Sequence, residues 1–578
     1  MDAWYTAFFI ENHLDYYAYP AHVSSPEQVR FMVYTEENER YYPCSDRMFR
    51  TIMRREKSSF LTERYEEALN KIVALVEHQI EDAWEKDYLK ALIKTKYQHE
   101  TRDGIMIPSR LEKRLLNIYL NRTQIEDPYL CEKAQRNMRA SRVLKSEAFN
   151  NALDHVDDSV ILSSPVSLEQ IKARVDYLKL RRLFSLSVES AVWEDDMSRY
   201  TAEDYLRLFS RSMTGDGIER LWRFIEVRKG KDASHVVQPK KILWLANEAG
   251  EFMVDLAIVR YLSRLGHKII IAFKEGPLFT KVDFYDAQQD ENLSGGLEGA
   301  LLIDEKSLEK NELVNILKSD RNIMAVSDGT RENMNLLLAS TTFARVFREV
   351  DGVISKGPEQ RRRFFDTHFR FTQDIYSIAK DENGLVSIWY RARHPAVIKF
   401  SHKDLENKAQ AIILKMEAAK SKGMTVIFYS GIIGSIPGKE TMAKKIMSTY
   451  VQFLKEQFAS TFIINPPEYF EPGMDADDLM FMWEIVQRSG LIDIWRFQTY
   501  DDIVKAFQIM KTKVPPEWVG KDATFSTGCT KEMKIALEVQ KAHPEMQIIG
   551  PSQERFLRRR DYGIGKMYDR RLDEICML

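Results

Sequence analysis

Short apolar runs alternate with helical repeats from residue 241 onward. Lys241–Ala246 is an apolar run of strand length, broken by the small polar stretch Asn247–Gly250. Phe252, Leu256, Val259 and Leu262 then recur at helical spacing until Gly266, and Lys268–Phe273 is a second apolar run. The pattern predicts a strand–helix–strand unit whose right-handed crossover makes the strands parallel. In open α/β sheets a ligand sits past the carboxyl ends of the strands, where turns meet helix N-termini. That rule singles out Asn247, Glu248, Ala249 and Gly250, and a second loop, Gly276–Asp286, that leaves the next strand at the same edge. Ala300–Ile303, Asn322–Val326 and Val350–Ile354 predict further strands, and Leu308–Lys318 a helix.

The preceding residues are rich in helix formers and poor in glycine. Arg64–Trp84 places Tyr65, Leu69, Ile72, Val73, Val76 and Ile80 on one face. Ser109–Leu120, Asp127–Leu144, Ser167–Phe184 and Thr201–Val227 predict more helices, with Ser167 and Gln170 spaced as a capping box. The basic runs Arg110–Arg114 and Lys179–Arg182 read as solvated helix faces, and Lys229–Gln238 as a polar linker. Beyond residue 400 the alternation resumes: helix Asp404–Ala419, strand Met424–Tyr429, helix Glu440–Phe458, strand Phe462–Asn465, helix Asp475–Ser489. Strand Leu491–Phe497, helix Asp501–Met510, helix Lys531–Lys541 and strand Met546–Ile549 follow. The expected architecture is α/β: a helical N-terminal region (1–235), a central doubly wound sheet (236–400) and a C-terminal Rossmann-like α/β domain (401–578).

The 578 residues suffice for three or four domains. A formal charge of −2 gives no general attraction to nucleic acid or acidic lipid. Cys44, Cys131, Cys529 and Cys576 lack zinc-ligand spacing and read as reduced thiols. The acidic start, without a basic and apolar leader, does not read as a signal peptide, and no run approaches bilayer-spanning length. These features predict a cytoplasmic protein without membrane or nucleic-acid partners.

In the C-terminal part, Gly431, Gly434, Ser435, Gly438 and Lys439 link a strand to a helix. Ile433 and Glu440 break the phosphate-loop pattern G-x-x-x-x-G-K-[ST]. What survives is a glycine-bearing turn able to cradle an anion at a helix N-terminus, or simply a tight turn. Thr527, Gly528 and Cys529 open another strand-to-helix turn, where a helix N-terminus lowers a thiol pKa. Arg391 and Arg393 alternate on the last strand of the central domain, so they share a face and suggest an anionic partner.

Four stretches in order carry a resemblance: Ile125–Ala140 (IEDPYLCEKAQRNMRA), Asn247–Glu251 with Lys274–Ala287, Val350–Gly357 (VDGVISKG) and Val386–Val397. Together they resemble the metal-dependent damage-control phosphatases, a family that includes the acidic-residue methyltransferase-like proteins, over about residues 100 to 400. The resemblance implies a sheet whose crevice holds a small phosphorylated metabolite and a divalent metal (Mg, Mn, Co or Ni), with hydrolase activity. It implies that Lys356, followed by Gly357, contacts the substrate phosphate. It further implies that Ser327, Asp328, Gly329 and Thr330 form a pocket turn whose backbone N–H groups approach an anion as a nest does. The family's Gly-Asn-x-Glu segment is replaced by Pro358–Arg363, which adds three arginines.

The departures fall on the metal positions. The family's metal-binding Asp, Asn and Asp correspond to Asn247, Glu248 and Lys281. Hard cations take oxygen ligands, which Asn247 and Glu248 supply and Lys281 does not. Asp283, two residues on, is a substitute ligand or base if the loop is reshaped; alternatively Lys281 takes over the metal's charge, or the metal site is dead. Three functions follow: metal-dependent hydrolysis with Lys356 and Asp283 as catalytic residues; an inactive relative binding a phosphorylated ligand or protein partner; and nucleotide or sugar-phosphate binding by the C-terminal domain. Gly250, Lys281, Gly357, Arg391, Arg393, Gly434, Ser435 and Lys439 complete the candidate ligand contacts.

Overall fold

The computed structural model of the chain describes residues 3–36, 39–156, 167–195, 197–226, 239–436 and 439–557. Lys229–Gln238, Gly438 and residues 558–578, with Cys576, lie outside the described residues. The chain forms two compact units, Met1–Leu308 with Asn315–His394, and Glu309–Val314 with Pro395–Leu578. Among the described residues no helix is long and apolar enough to cross a membrane.

The strands of the first unit are β1 (Val33–Tyr34), β2 (Lys241–Leu245), β3 (Lys268–Phe273), β4 (Leu301–Ile303), β5 (Ile323–Ser327), β6 (Gly352–Lys356), β7 (Arg370–Phe371), β8 (Asp374–Lys380) and β9 (Val386–Arg391). Seven of them form a sheet in the order β4-β5-β3-β2-β6-β8-β9, and β1 pairs with β7. Only β8 and β9 pair antiparallel within that sheet. Helices cover β2, β3 and β6, so nearly every residue of these strands is buried, which is why they read as unbroken apolar runs. The winding direction reverses between β2 and β6. This topological switch point opens a crevice beyond their carboxyl ends.

The N-terminal helices belong to the same core. Leu183, Phe184 and Trp222 pack in one cluster with Ile242, Trp244 and Ile269 of the sheet. Ser167 caps the helix Leu168–Leu186 in the expected capping box with Gln170. Two expected helices are broken. Arg64–Trp84 is divided between Ser59–Gln79 and Ala83–Thr101, because the Asp82 side chain accepts from Glu85 N–H and starts a new helix. Thr201–Val227 is divided between Ala202–Phe209 and Ile218–Phe224. The intervening residues add hydrogen bonds along the outer edge of β9, from Thr214 N to Val386 O (2.8 Å) and Gly217 N to Ile388 O (2.9 Å). At Gly215 (φ +101°) a Cβ would lie 2.1 Å from Ile388 O, so only glycine permits this edge cover.

In the second unit β10 (Thr425–Ser430), β11 (Thr461–Ile464), β12 (Ile494–Phe497) and β13 (Gln547–Ile549) form a parallel sheet ordered β11-β10-β12-β13. Helices His402–Ser421, Ala476–Gln487 and Thr527–Ala542 bury one face through Leu405, Phe481 and Met533. Glu440–Gln457 and Tyr500–Ile509 bury the other through Ile446 and Ile503. This is the Rossmann-like layering expected from the alternation. Ala523–Phe525 is a 3₁₀ turn: Ala523 N–H donates to Gln498 O at 2.8 Å, and the N–H groups of Thr524 and Phe525 donate to Asp522.

Glu532 lies inside this unit, 7 % exposed. It accepts from Gln487 Nε2 at 3.0 Å and lies against the Ser430 and Cys529 side chains. Burial pushes its carboxyl from 4.5 up to about 7, against the pull of these hydrogen bonds. The native state therefore holds this proton more tightly than the unfolded chain does. Its contribution is most favourable below pH 4.5 and declines as pH rises through about 7. Replacing Glu532 by Gln is expected to remove that slope. The stability difference between variant and parent shifts by roughly 3 kcal/mol across this window, in favour of the variant at high pH, as urea titrations of both proteins at several pH values would measure.

Candidate functional site

The turn after β2 is shaped by partners far away in sequence. Gly250 N–H donates to Asn137 Oδ1 at 2.7 Å, and Ala249 N–H to Thr280 O at 2.8 Å. Gly250 has φ +81°, and a Cβ there would lie 2.2 Å from Trp193 Cβ. Gly357 (φ +80°) performs the matching service across the switch point, where a Cβ would come 2.6 Å from Asn247 Nδ2. Asn247 and the start of the helix after β6 are thereby brought together.

Into this turn reaches Lys281. Its ammonium donates to Asn247 Oδ1 at 2.8 Å and Glu248 Oε1 at 2.9 Å, and lies 3.4 Å from Glu359 Oε2. Asn247 Nδ2 donates to Glu251 Oε2 at 2.7 Å, and Thr280 Oγ1 to Glu248 Oε2 at 2.6 Å, so each ligating oxygen is oriented. Burial opposes the Lys281 charge, yet Glu248 and Glu359 outweigh it and hold the group protonated. Burial likewise opposes the Glu248 charge, and Lys281 outweighs it, so the Glu248 carboxyl lies below its ordinary value. A cation is thus built into the chain between Asn247 and Glu248.

Lys356, expected to contact a substrate phosphate, is engaged by the chain's own carboxylates. It is fully buried, with its ammonium 3.2 Å from Glu251 Oε1 and 3.0 Å from Asp255 Oδ1, and donates to Ser187 O and Oγ at 2.9 Å. β6 runs to Lys356, two residues farther than the apolar run suggested, and carries the side chain into the core. Burial pushes the Asp255 carboxyl above its ordinary value although Lys356 pulls it down. Glu251 and Asp255 stand at i and i+4 on one helix, the spacing that lets both meet one lysine.

Asp283, expected as a substitute metal ligand or base, is engaged by Lys133. Its carboxylate accepts from Lys133 at 2.9 Å and from the N–H groups of Tyr285 and Asp286. Lys133 also contacts Asp127 at 2.7 Å and Asp286 at 2.6 Å, and is 1 % exposed. The oxygens of Asp127, Asp283 and Asp286 lie within 4.8 Å of one another, a metal-like grouping. The Lys133 ammonium already contacts all three.

The turn after β5 is self-satisfied. Gly329 N–H donates to Ser327 Oγ (2.9 Å) and Thr330 N–H to Asp328 Oδ1 (2.8 Å), which occupies the N–H groups expected to approach an anion. Lys274, at the end of β3, joins Asp328 and Thr330. Arg391 Nη2 donates to Thr367 O at 2.7 Å and Nη1 to Phe364 O, carbonyl partners rather than an anion. Arg393 lies beyond the end of β9, so the expected shared strand face does not form. In the second unit, Gly434 is exposed, Ser435 half-buried, and Lys439 pairs with Glu517 at 2.8 Å. Cys529 is buried, and its thiol contacts Gly431 O at 3.3 Å.

A pocket of about 460 Å³ opens past β2, β3 and β5, reaching Ala246, Ala272, Lys274, Lys281 and Asp328. The volume suits a small-molecule ligand. Arg47 and Arg64 from the N-terminal helices, and Arg362 and Arg363 from the helix after β6, line its remaining wall. Among the described residues no carboxylate pairs with Arg47, Arg362 or Arg363; the Arg47 guanidinium lies 4.0 Å above the Phe60 ring. Met48, Phe60, Ile107, Pro108 and Met334 supply an apolar surface. Cys44 also lines the pocket, but burial pushes its thiol up to about 12, so it is no nucleophile near neutral pH. Sequence reasoning singled out Lys281 and the three arginines after β6. It missed Arg47 and Arg64, which no local pattern marks, and the ligating role of Lys133 within a stretch already noticed.

The damage-control phosphatase ARMT1-like domain family matches residues 60–406. Among solved structures, a DUF89 family protein from Pyrococcus horikoshii is similar, with 16 % identity, covering 56 % of this chain and 96 % of that chain at a TM-score of 0.38. No curated protein matches the chain.

Two consequences can be measured. Lys133→Met leaves three carboxylates around a neutral side chain, and is expected to cost about 3–5 kcal/mol in urea unfolding. Because Glu248 titrates below its ordinary 4.5, the stability it contributes is present above pH 4.5 and lost as pH falls through the lowered value. Lys281→Met should remove that component, giving a shallower acid limb in stability-versus-pH curves.

Proposed function

We propose, because the chain belongs to the damage-control phosphatase ARMT1-like family, that it binds a small phosphorylated ligand in the 460 Å³ pocket without metal-dependent hydrolysis. The observation that carries this reading is the Lys281 ammonium seated on Asn247 Oδ1 and Glu248 Oε1. These oxygens correspond to two of the family's metal ligands, and the third position is the lysine itself. The residues do not fit a divalent metal: one ligand is missing, and the remaining oxygens are taken by a positive charge that repels another cation.

The charge balance of the pocket supports an anionic ligand. Arg47, Arg64, Lys274, Lys281, Arg362 and Arg363 stand against Asp328, Glu359 and Asp366. Lys281 and Lys274 are largely neutralised by their own carboxylates, so the arginines carry the attraction. Guanidinium groups recognise phosphate through paired N–H donors. The phosphate then lies toward Arg47, Arg362 and Arg363, with the ligand's carbon body against Phe60, Met48 and Met334.

The test is calorimetric titration of the full chain with a panel of sugar phosphates and related phosphometabolites in the presence of a chelator, alongside hydrolysis assays with Mg, Mn, Co and Ni. Expected are chelator-insensitive binding of at least one compound, weakened about tenfold or more by Arg362→Ala or Arg363→Ala, and no turnover with any metal. The combined substitution Asn247→Asp, Glu248→Asn and Lys281→Asp restores the family's ligand types and should create manganese binding that the parent lacks. Metal-dependent turnover by the unaltered chain would overturn the proposal.

A further inference from the structure

A second cavity, of about 280 Å³, lies on the other side of the turn after β5. Asp328 of that turn lines the first pocket, whereas Gly329 and Thr330 line this one, and the two linings share no residue. The cavity is lined by Arg110, Lys113, Arg331 and Glu332, with His13 and His22 at its wall. Glu332 is its one acidic lining residue, and it is engaged by Arg110. No ion pair joins Lys113 or Arg331 to a carboxylate among the described residues, although the Glu332 charge acts on Lys113. Arg331 passes close to Gly276, where an added Cβ would come 2.9 Å from its Nε.

The electrostatics of this cavity are incomplete. Burial lowers the Lys113 ammonium to about 8; Glu332 resists, while Arg331, Arg110 and Lys274 add to the depression. A half-buried lysine among other cations is destabilised unless a negative charge joins it. The other lysines with little exposure near the sheet edge, Lys133, Lys274, Lys281 and Lys356, each have their own carboxylates.

We propose that this cavity is a second anion site, in which Lys113 and Arg331 bind a phosphoryl group supplied either by an inorganic phosphate or by the phosphorylated end of a larger molecule. The ligand contributes the negative charge the fold omits. Arg331 offers a planar set of donors and Lys113 a point charge, a pairing suited to a tetrahedral oxyanion. The site does not depend on ligand binding in the first pocket.

Pyrophosphate and ADP, titrated separately into the full chain, distinguish the two sources. The expected result is binding of at least one of them that Lys113→Gln and Arg331→Gln each weaken about tenfold or more, and that Arg362→Gln in the first pocket leaves unchanged. Pyrophosphate binding identifies an inorganic ligand as sufficient; binding of ADP alone assigns the site to the end of a larger molecule. A second readout needs no substitution: NMR titration of isotopically methylated lysines should show the Lys113 pKa rising when the ligand is added. Absence of binding by both probes, binding that Lys113→Gln leaves intact, or a Lys113 pKa unmoved by saturating ligand would overturn the proposal. A loss confined to Arg362→Gln would leave the first-pocket reading standing and refute this one.

Discussion

A buried ammonium needs oxygen partners, and that requirement organises the carboxyl edge of the large sheet. Four lysines with little exposure stand there: Lys133, Lys274, Lys281 and Lys356. Lys133 ties the helix Leu130–Lys145 to the loop after β3, and Lys274 ties the end of β3 to the turn after β5. Lys281 joins that loop to the turn after β2, and Lys356 joins β6 to the helix after β2 and to Ser187. Desolvating each ion costs several kcal/mol, so these clusters add little net stability while making their loss expensive. Their service is geometric: the turns after β2 and β5, the loop after β3 and the end of β6 are each held by at least one of them.

Much of this architecture is legible in the chain. β2, β3 and β6 are apolar throughout because both sheet faces are covered, and the loops that follow them are where a doubly wound sheet places its crevice. The altered residues Asn247, Glu248 and Lys281 are also readable as a set, since a lysine in a ligand position predicts its own attraction to the two oxygens. The surroundings of Lys356 are harder to read. The helix after β2 announces its apolar face at Phe252, Leu256 and Val259, while the burial of Glu251 and Asp255 on its other side depends on a strand about 100 residues later. Arg47 and Arg64 reach the pocket only through tertiary packing. The helix breaks have two different origins. The one at Asp82 is visible as a capping residue and the one at residues 210–217 as a Gly-Asp-Gly breaker, but that the second covers the edge of β9 is a tertiary fact no local pattern states.

The same winding rule operates in the second unit with a different outcome. β10 lies between β11 and β12, so the turn after Ser430 occupies that sheet's switch point. The Cys529 thiol contacts Gly431 O, Trp495 Nε1 donates to Ser430 Oγ at 2.9 Å, and Gln498 Oε1 accepts from Ile432 N–H at 3.1 Å. Side chains of the unit itself thus engage Ser430 Oγ, Gly431 O and Ile432 N–H at this turn. Topology places a crevice, and the residues around it decide whether it is closed by the chain.

The hydrogen bond from Gly250 N–H to Asn137 joins residues 113 apart, Lys133 reaches Asp286 across 153, and Lys356 reaches Ser187 across 169. Contacts of such separation form slowly, because chain ends must meet before any reward is collected. β2, β3 and the helix between them are close neighbours in sequence and are positioned to form early, leaving lysines and carboxylates at their edge hydrated until the N-terminal helices dock. Docking then dehydrates those charges together. On a ribosome the order is reversed in one respect: the helices emerge first and must wait, unpaired at Lys133 and Asn137, for the loops that complete them.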